Sequence, residues 1–241
     1  MKKFLTILLT VVLTAAVAIT GTVAYLTYED SDVNVMTLGN VKIEQNEYER
    51  DENGNLVPFT QNKPAFPAVG PIEWAEEGVE VNGTEYKVFT EDLKNVVDKI
   101  VTVKNTGRSD AYVRTVIAIE APDFDPNDLI HINHNSDGVT MSNPVTVTVG
   151  GVQYVIFEFV YTDAVAANAE SAPSLVQVFL DEVTTNEDIE AYGETWEIIA
   201  LSQAVQVEGF ADAKTALDTA FGATNATNAA EWLENIVLTN P

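Results

Sequence analysis

The chain has 241 residues, with 12 Lys and Arg against 37 Asp and Glu, a formal charge of −25 and no cysteine. That balance excludes nucleic acid, whose phosphates are bound through Lys and Arg, and it disfavours docking on anionic lipid. The lack of cysteine excludes a disulfide framework, a thiol nucleophile and a zinc–thiolate site, so stability rests on packing, bound ions or neighbouring subunits.

Lys2 and Lys3 precede an uncharged run, Phe4 to Ile19, interrupted only by Thr6, Thr10 and Thr14. Thr20-Gly21-Thr22-Val23-Ala24 follows, with Thr22 and Ala24 at the −3 and −1 positions of a signal-peptidase site. A basic start, a short apolar heart and a small-residue site are the three parts of a secretory signal. Glu29, Asp30 and Asp32 beyond the run suit translocation of the C-terminal side. Phe4 to Leu26 could instead serve as a retained anchor, since about 20 apolar residues span a bilayer. The short apolar heart and the adjoining site favour cleavage. The expectation is a signal peptide over 1–24 and one secreted domain over 25–241, with no stable membrane anchor after cleavage.

From Val33 onward the pattern has the period of strands. Val41 and Ile43 alternate with Lys42 and Glu44, which gives one apolar and one charged face. Asp51 to Asn55 is a turn cluster, and Pro58, Pro64, Pro67 and Pro71 predict irregular chain as far as Trp74. Gly78 to Phe89 reads as a hairpin about Asn82-Gly83, a pair suited to a type I′ turn. Strands are predicted over Lys99–Lys104 and Tyr112–Glu120, with Val113, Thr115, Ile117 and Ile119 on one face of the second. Ala121 to Asn143 is polar and turn-rich. Val145–Val149 and Val152–Tyr161 form a second hairpin about Gly150-Gly151.

An Ala-rich helix is expected over Asp163–Glu170, then strands over Leu175–Leu180 and Trp196–Val207. The period changes at Phe210, Ala213, Leu217, Ala220 and Phe221, with Gly222 placed as a helix stop. A second short helix is expected over Asn228–Ile236, so the C-terminal helical segment covers about 210–237. Seven or more strands, with helices only in loops and at the C-terminus, point to a mainly β protein: an antiparallel β-sandwich or jelly roll.

Candidate chemistry is sparse. The two histidines, His131 and His134, sit in a stretch that Asp123, Pro126, Asn133, Asn135 and Gly138 mark as loop, and H-E-x-x-H is absent. Zinc is therefore disfavoured. Asp123-Phe124-Asp125-Pro126-Asn127-Asp128 begins like a calcium loop, but Asp128 replaces the glycine at its sixth position and His134 the glutamate at its twelfth. That leaves a looser calcium site drawn from Asp123, Asp125, Asp128, His131 and His134, against an Asx-rich loop that caps its own backbone. Asn82-Gly83-Thr84 and Asn225-Ala226-Thr227 match a glycosylation sequon, but a turn and a helix cap explain them better. Trp74, Trp196 and Trp232 read as packing residues.

Several blocks carry a resemblance: Gly21-Thr22-Val23-Ala24-Tyr25-Leu26-Thr27, Leu38-Gly39-Asn40-Val41-Lys42-Ile43, Ile100 to Gly107 followed by Ala111-Tyr112-Val113-Arg114, and Ala204 to Phe210. In these the chain resembles secreted proteins of Gram-positive bacteria processed by a SipW-type signal peptidase, the group that includes TasA and the camelysins. The resemblance implies a jelly roll, export by that peptidase, and assembly into fibres of a biofilm matrix or cell surface, with itself or related matrix proteins. Camelysins carry a metallo-endopeptidase label, which His131 and His134 support poorly without a zinc motif. The reading is therefore a secreted structural protein without catalytic residues; a camelysin-like peptidase and a monomeric calcium-binding module are the alternatives. Cleavage would free Tyr25-Leu26-Thr27-Tyr28, followed by acidic residues and by Val33 and Val35, as a candidate donor strand for the sheet edge of another subunit. Intact-mass measurement of the exported protein should show Tyr25 as its first residue; recovery only in membranes with Lys2 and Lys3 retained would refute cleavage.

Overall fold

The computed structural model describes residues 26–27, 34–38, 41–60, 66–121, 129–192 and 197–239. The expected signal peptide over 1–24, Tyr25, Tyr28, Val33, Asp123, Asp125, Asp128 and Trp196 lie outside them. Two sheets stack face to face. The larger is built from β1 (Leu26–Thr27), β2 (Asn34–Leu38), β8 (Ala111–Glu120), β10 (Val139–Met141), β11 (Val145–Val149), β12 (Val152–Tyr161) and β14 (Ile198–Gln206). Its order is β1-β2-β14-β8-β12-β10, with β11 also pairing β12. The smaller sheet runs β4-β3-β7-β13-β9, from β3 (Ile43–Arg50), β4 (Leu56–Pro58), β7 (Val97–Asn105), β9 (Ile130–His134) and β13 (Leu175–Leu180). A small hairpin, β5 (Val79–Val81) and β6 (Thr84–Tyr86), stands apart. The helices are α1 (Asn186–Tyr192), α2 (Ala213–Phe221) and α3 (Ala226–Thr239).

The alternation read from the sequence places the core. Val113, Ile117 and Ile119 of β8 and Val155, Phe157 and Phe159 of β12 meet Ile43, Val101, Val103 and Val178 of the other sheet in one buried cluster. Ile117 and Phe159 are fully buried; side chains of this size contribute about 1.5–3 kcal/mol each on burial. Ser202 of β14 donates to Gln45 of β3 across the gap at 2.7 Å, which pairs two of the polar groups buried between the sheets. Both two-residue turns take positive φ, 52° and 79° at Asn82 and Gly83, and 61° and 91° at Gly150 and Gly151, as type I′ geometry requires.

The outer face of the larger sheet is closed by the C-terminal helices. Ala229, Trp232 and Leu233 of α3 cover Val116, Ala118, Ile156 and Leu201, while Ala213, Ala216 and Leu217 of α2 cover Val160 and Val205. Both helices begin on side-chain caps: Asp212 accepts from Thr215 N at 2.8 Å, and Asn225 from Thr227 N and Asn228 N at 3.0 Å. Such caps contribute about 1 kcal/mol each.

Arg114 crosses this helix–sheet interface. It is fully buried, and its guanidinium donates to Gln203 Oε1 (2.6 Å), Glu158 Oε1 (2.8 Å), Asp218 Oδ1 (3.0 Å) and the Gly222 carbonyl (2.8 Å). Its other neighbour is the Trp232 ring, 5.0 Å away. Gly222 ends α2 at φ 83°, and a Cβ there would come within 2.5 Å of the Asn228 amide.

The mainly β, antiparallel sandwich is as expected, with one parallel neighbour: β2 runs along β14 from Asn34↔Leu201 to Leu38↔Val205. Two expectations are corrected. Asp163–Glu170 is no helix, because its backbone is spent on the sheets: Val165 pairs with Ala111, and Asn168 N and Ala169 O bond Asn105. The turn-rich stretch 121–143 contains strands β9 and β10. Helix α1 was not anticipated. Truncating a buried ion-pair partner strands the other charge, so Arg114→Ala should lower the unfolding free energy by about 3–5 kcal/mol in urea titration. Adding Glu158→Gln should restore part of that loss; a single-variant loss of under about 1 kcal/mol would contradict the role given to Arg114.

Candidate functional site

Two regions carry the residues singled out from the sequence. The first is the N-terminal edge of the larger sheet. Among the described residues the backbone of β1 pairs antiparallel with β2 at Leu26↔Thr37 and Thr27↔Met36. Strand β2, which contains Val35, runs in register with β14 from Asn34↔Leu201 to Leu38↔Val205. Leu26, Thr27 and Val35 of the candidate donor strand thus pair within their own chain, and among the described residues no strand lies beyond β1.

The second region surrounds the histidines. They lie on strand β9 rather than in a loop, and residues three apart on a strand project to opposite faces. His131 points outward, stacked on Phe179 at 4.9 Å, with Nε2 2.6 Å from Asp181 Oδ2. His134 points inward, its ring 5.6 Å from Phe159 and its Nδ1 3.1 Å from the Asn135 carbonyl. The strand does not bring the two imidazoles together. Among the described residues no group of three or more His, Asp or Glu side chains is placed to hold a metal.

What the outward face does assemble is an aromatic ladder that the sequence did not reveal. Phe179 meets the edge of Phe89 at 5.3 Å, and Phe89 stacks on Trp74 at 4.4 Å. Trp74 is half exposed, so it is a surface ring as well as a packing residue. Beside the ladder lies a cleft of about 220 Å³ bounded by Ala68, Gly70, Ile72, Leu93, Phe179 and Asp181, with Glu182 at its rim. The residues come from distant parts of the chain, 66–74, 93 and 179–182, which is why no local motif announced them. The only sequence signal was the run of prolines at 58–71, which marks irregular chain able to drape over a sheet.

Asp181 anchors this corner. Its Oδ1 accepts from Val183 N at 3.0 Å; that bond above all, with His131 adding to it, holds the carboxyl below the usual aspartate range. Comparison with protein-family models, with curated proteins and with solved structures gives no match. The assignment of function therefore rests on the residues themselves.

A carboxyl with a depressed pKa binds fewer protons folded than unfolded, so its stabilisation is present above the unfolded pKa and is lost as pH falls through the folded one. The Asp181→Asn protein should therefore show a lower urea midpoint than the unaltered protein at neutral pH. The gap should close on acidification below the ordinary aspartate range. A gap that persists unchanged at low pH would contradict this origin.

Proposed function

We propose that the chain is an exported structural protein of the cell surface or extracellular matrix, assembling with copies of itself or related matrix proteins through the N-terminal edge of its larger sheet. The observation that carries the reading is the place of β1 at the margin of the larger sheet: it pairs with β2, β2 pairs with β14, and among the described residues no strand lies beyond β1. An edge pairing can be made by another subunit's segment as well as by its own, because the backbone groups are the same in either case. Exchange of β1 between subunits is head-to-tail and can propagate. The resemblance of the signal-proximal block to exported matrix proteins supports the same reading. The proposed role uses backbone pairing and no catalytic residue.

Charge adds a condition. Cleavage after Ala24 removes Lys2 and Lys3 and takes the formal charge from −25 to −27, so subunits repel one another at long range. Salt shortens that range to about 8 Å at physiological ionic strength, and assembly should strengthen as salt or divalent cations are added.

The test removes Tyr25 to Asp32 from the exported protein and follows filaments by electron microscopy and mass by light scattering at low and physiological salt. Loss of polymers with a folded monomer remaining is expected. Unchanged polymers, or global unfolding of the shortened chain, would refute assembly through this edge.

A further inference from the structure

The cleft beside the aromatic ladder joins apolar walls to two carboxylates, Asp181 and Glu182. Its floor and walls are Ala68, Leu93 and Phe179, all buried, with Ile72 on the open side. Ile72 lines the cleft and is 60% exposed; Trp74, on the same strap, and Val183, next in sequence to Glu182, are 50% and 62% exposed. Large exposed apolar side chains grouped along neighbouring segments mark binding sites. The shape is fixed by backbone rather than by side-chain choice. The 66–74 strap is tied to its neighbours by Ala68 N to Leu180 O (2.8 Å) and Lys94 N to Val69 O (2.9 Å). At Gly70, φ is 126° and a Cβ would stand 2.2 Å from the Asp92 carbonyl, so only glycine lets the strap lie this close. The cleft is therefore preformed, which lowers the ordering cost of binding.

Size and charge select the occupant. About 220 Å³ is below the roughly 300–1,000 Å³ of small-molecule and cofactor sites, but it suits a single anchoring side chain. The segments that build and flank it are strongly acidic. Residues 66–96 hold seven carboxylates against two lysines, and 181–190 hold five carboxylates and no base. A second copy of a chain carrying −25 would bring like charge to this rim, which opposes association. A cationic segment is drawn to it, and Trp74, with one face on Phe89, offers a ring on which Lys or Arg can rest.

We propose that this cleft docks a basic peptide segment of a partner protein, one aliphatic or aromatic side chain entering between Ile72 and Phe179 while flanking Lys or Arg residues meet the carboxylate rim. The site is independent of the N-terminal edge and of the assembly built on it.

Two labelled nine-residue peptides test the site on the protein purified from the cells that make it: eight lysines around a central leucine, and the same peptide with a central serine. Burying the leucine should make the first bind at least about tenfold tighter at physiological salt by fluorescence anisotropy. Ile72→Ser should erase that advantage and leave the serine peptide unaffected, while Ile72→Met retains it; the circular dichroism spectrum and thermal midpoint should stay unchanged in both variants. Glu182→Gln should weaken both peptides. Equal binding of the two peptides by the unaltered protein would reduce the effect to net charge and overturn the proposal. So would a leucine advantage that survives Ile72→Ser. Self-association abolished by Ile72→Ser and indifferent to peptide would assign the cleft to a second copy instead, and overturn it as well.

Discussion

Arg114 is a full charge buried between the larger sheet and its helices, and much of the architecture follows from satisfying it. Taking a guanidinium out of water costs several kcal/mol unless its donors are met, and here burial alone pulls its pKa down despite the acids around it. Glu158 comes from the neighbouring strand, Gln203 from the strand on the other side, Asp218 and the Gly222 carbonyl from the end of α2. Because part of this set is supplied by the helical segment, docking of that segment is coupled to the ion cluster. Lys214 and Thr224 extend it, reaching Glu158 and Asp218 from the protein surface. With its outer face closed in this way, the larger sheet turns a largely apolar inner face to its partner sheet, interrupted at Thr115 and Ser202.

Cohesion is consequently uneven. Strands β8, β12 and β14 share long registers, nine residue pairs between β8 and β14 alone, and they carry both the inner core and the Arg114 cluster. At the margin of the same sheet β1 has one neighbouring strand, β2, among the described residues. A chain without cysteine cannot lock such an edge covalently, so its pairing stays open to exchange. The draped segment 66–96 is a third case: irregular in backbone apart from the β5–β6 hairpin, yet pinned by Phe89, Leu93 and the bond from Phe89 N to the buried Gln177.

How much of this could be read beforehand depends on whether the determining interaction is local. Alternation at Val113–Ile119, the Asn-Gly and Gly-Gly turns, and the periodic tail at 213–221 are local, and each produced the element expected of it. Strands β9 and β10 are short and carry His, Asn and Thr, so their pairing is imposed by β13 and β12 rather than by their own pattern. The alanine-rich 163–170 stretch has helix propensity, but Val165 and Asn168 find strand partners that outweigh it. A lone arginine inside an apolar strand was a visible signal for a buried cluster, although its partners lie 44 to 108 residues away. The expected signal peptide over 1–24 and the acidic stretch at 123–128 fall outside the described residues, and the aromatic ladder joins positions no spacing rule connects.

Native-state hydrogen exchange resolved to single amides tests this distribution of cohesion most directly. The account predicts that amides of Val113 to Ile119 and Ala200 to Ala204 open only with global unfolding, while Leu26 and Thr27 exchange by a far cheaper local opening. Protection of Leu26 and Thr27 equal to that of β8, or release of the Arg114 helices well before the sheet beneath them, would contradict it.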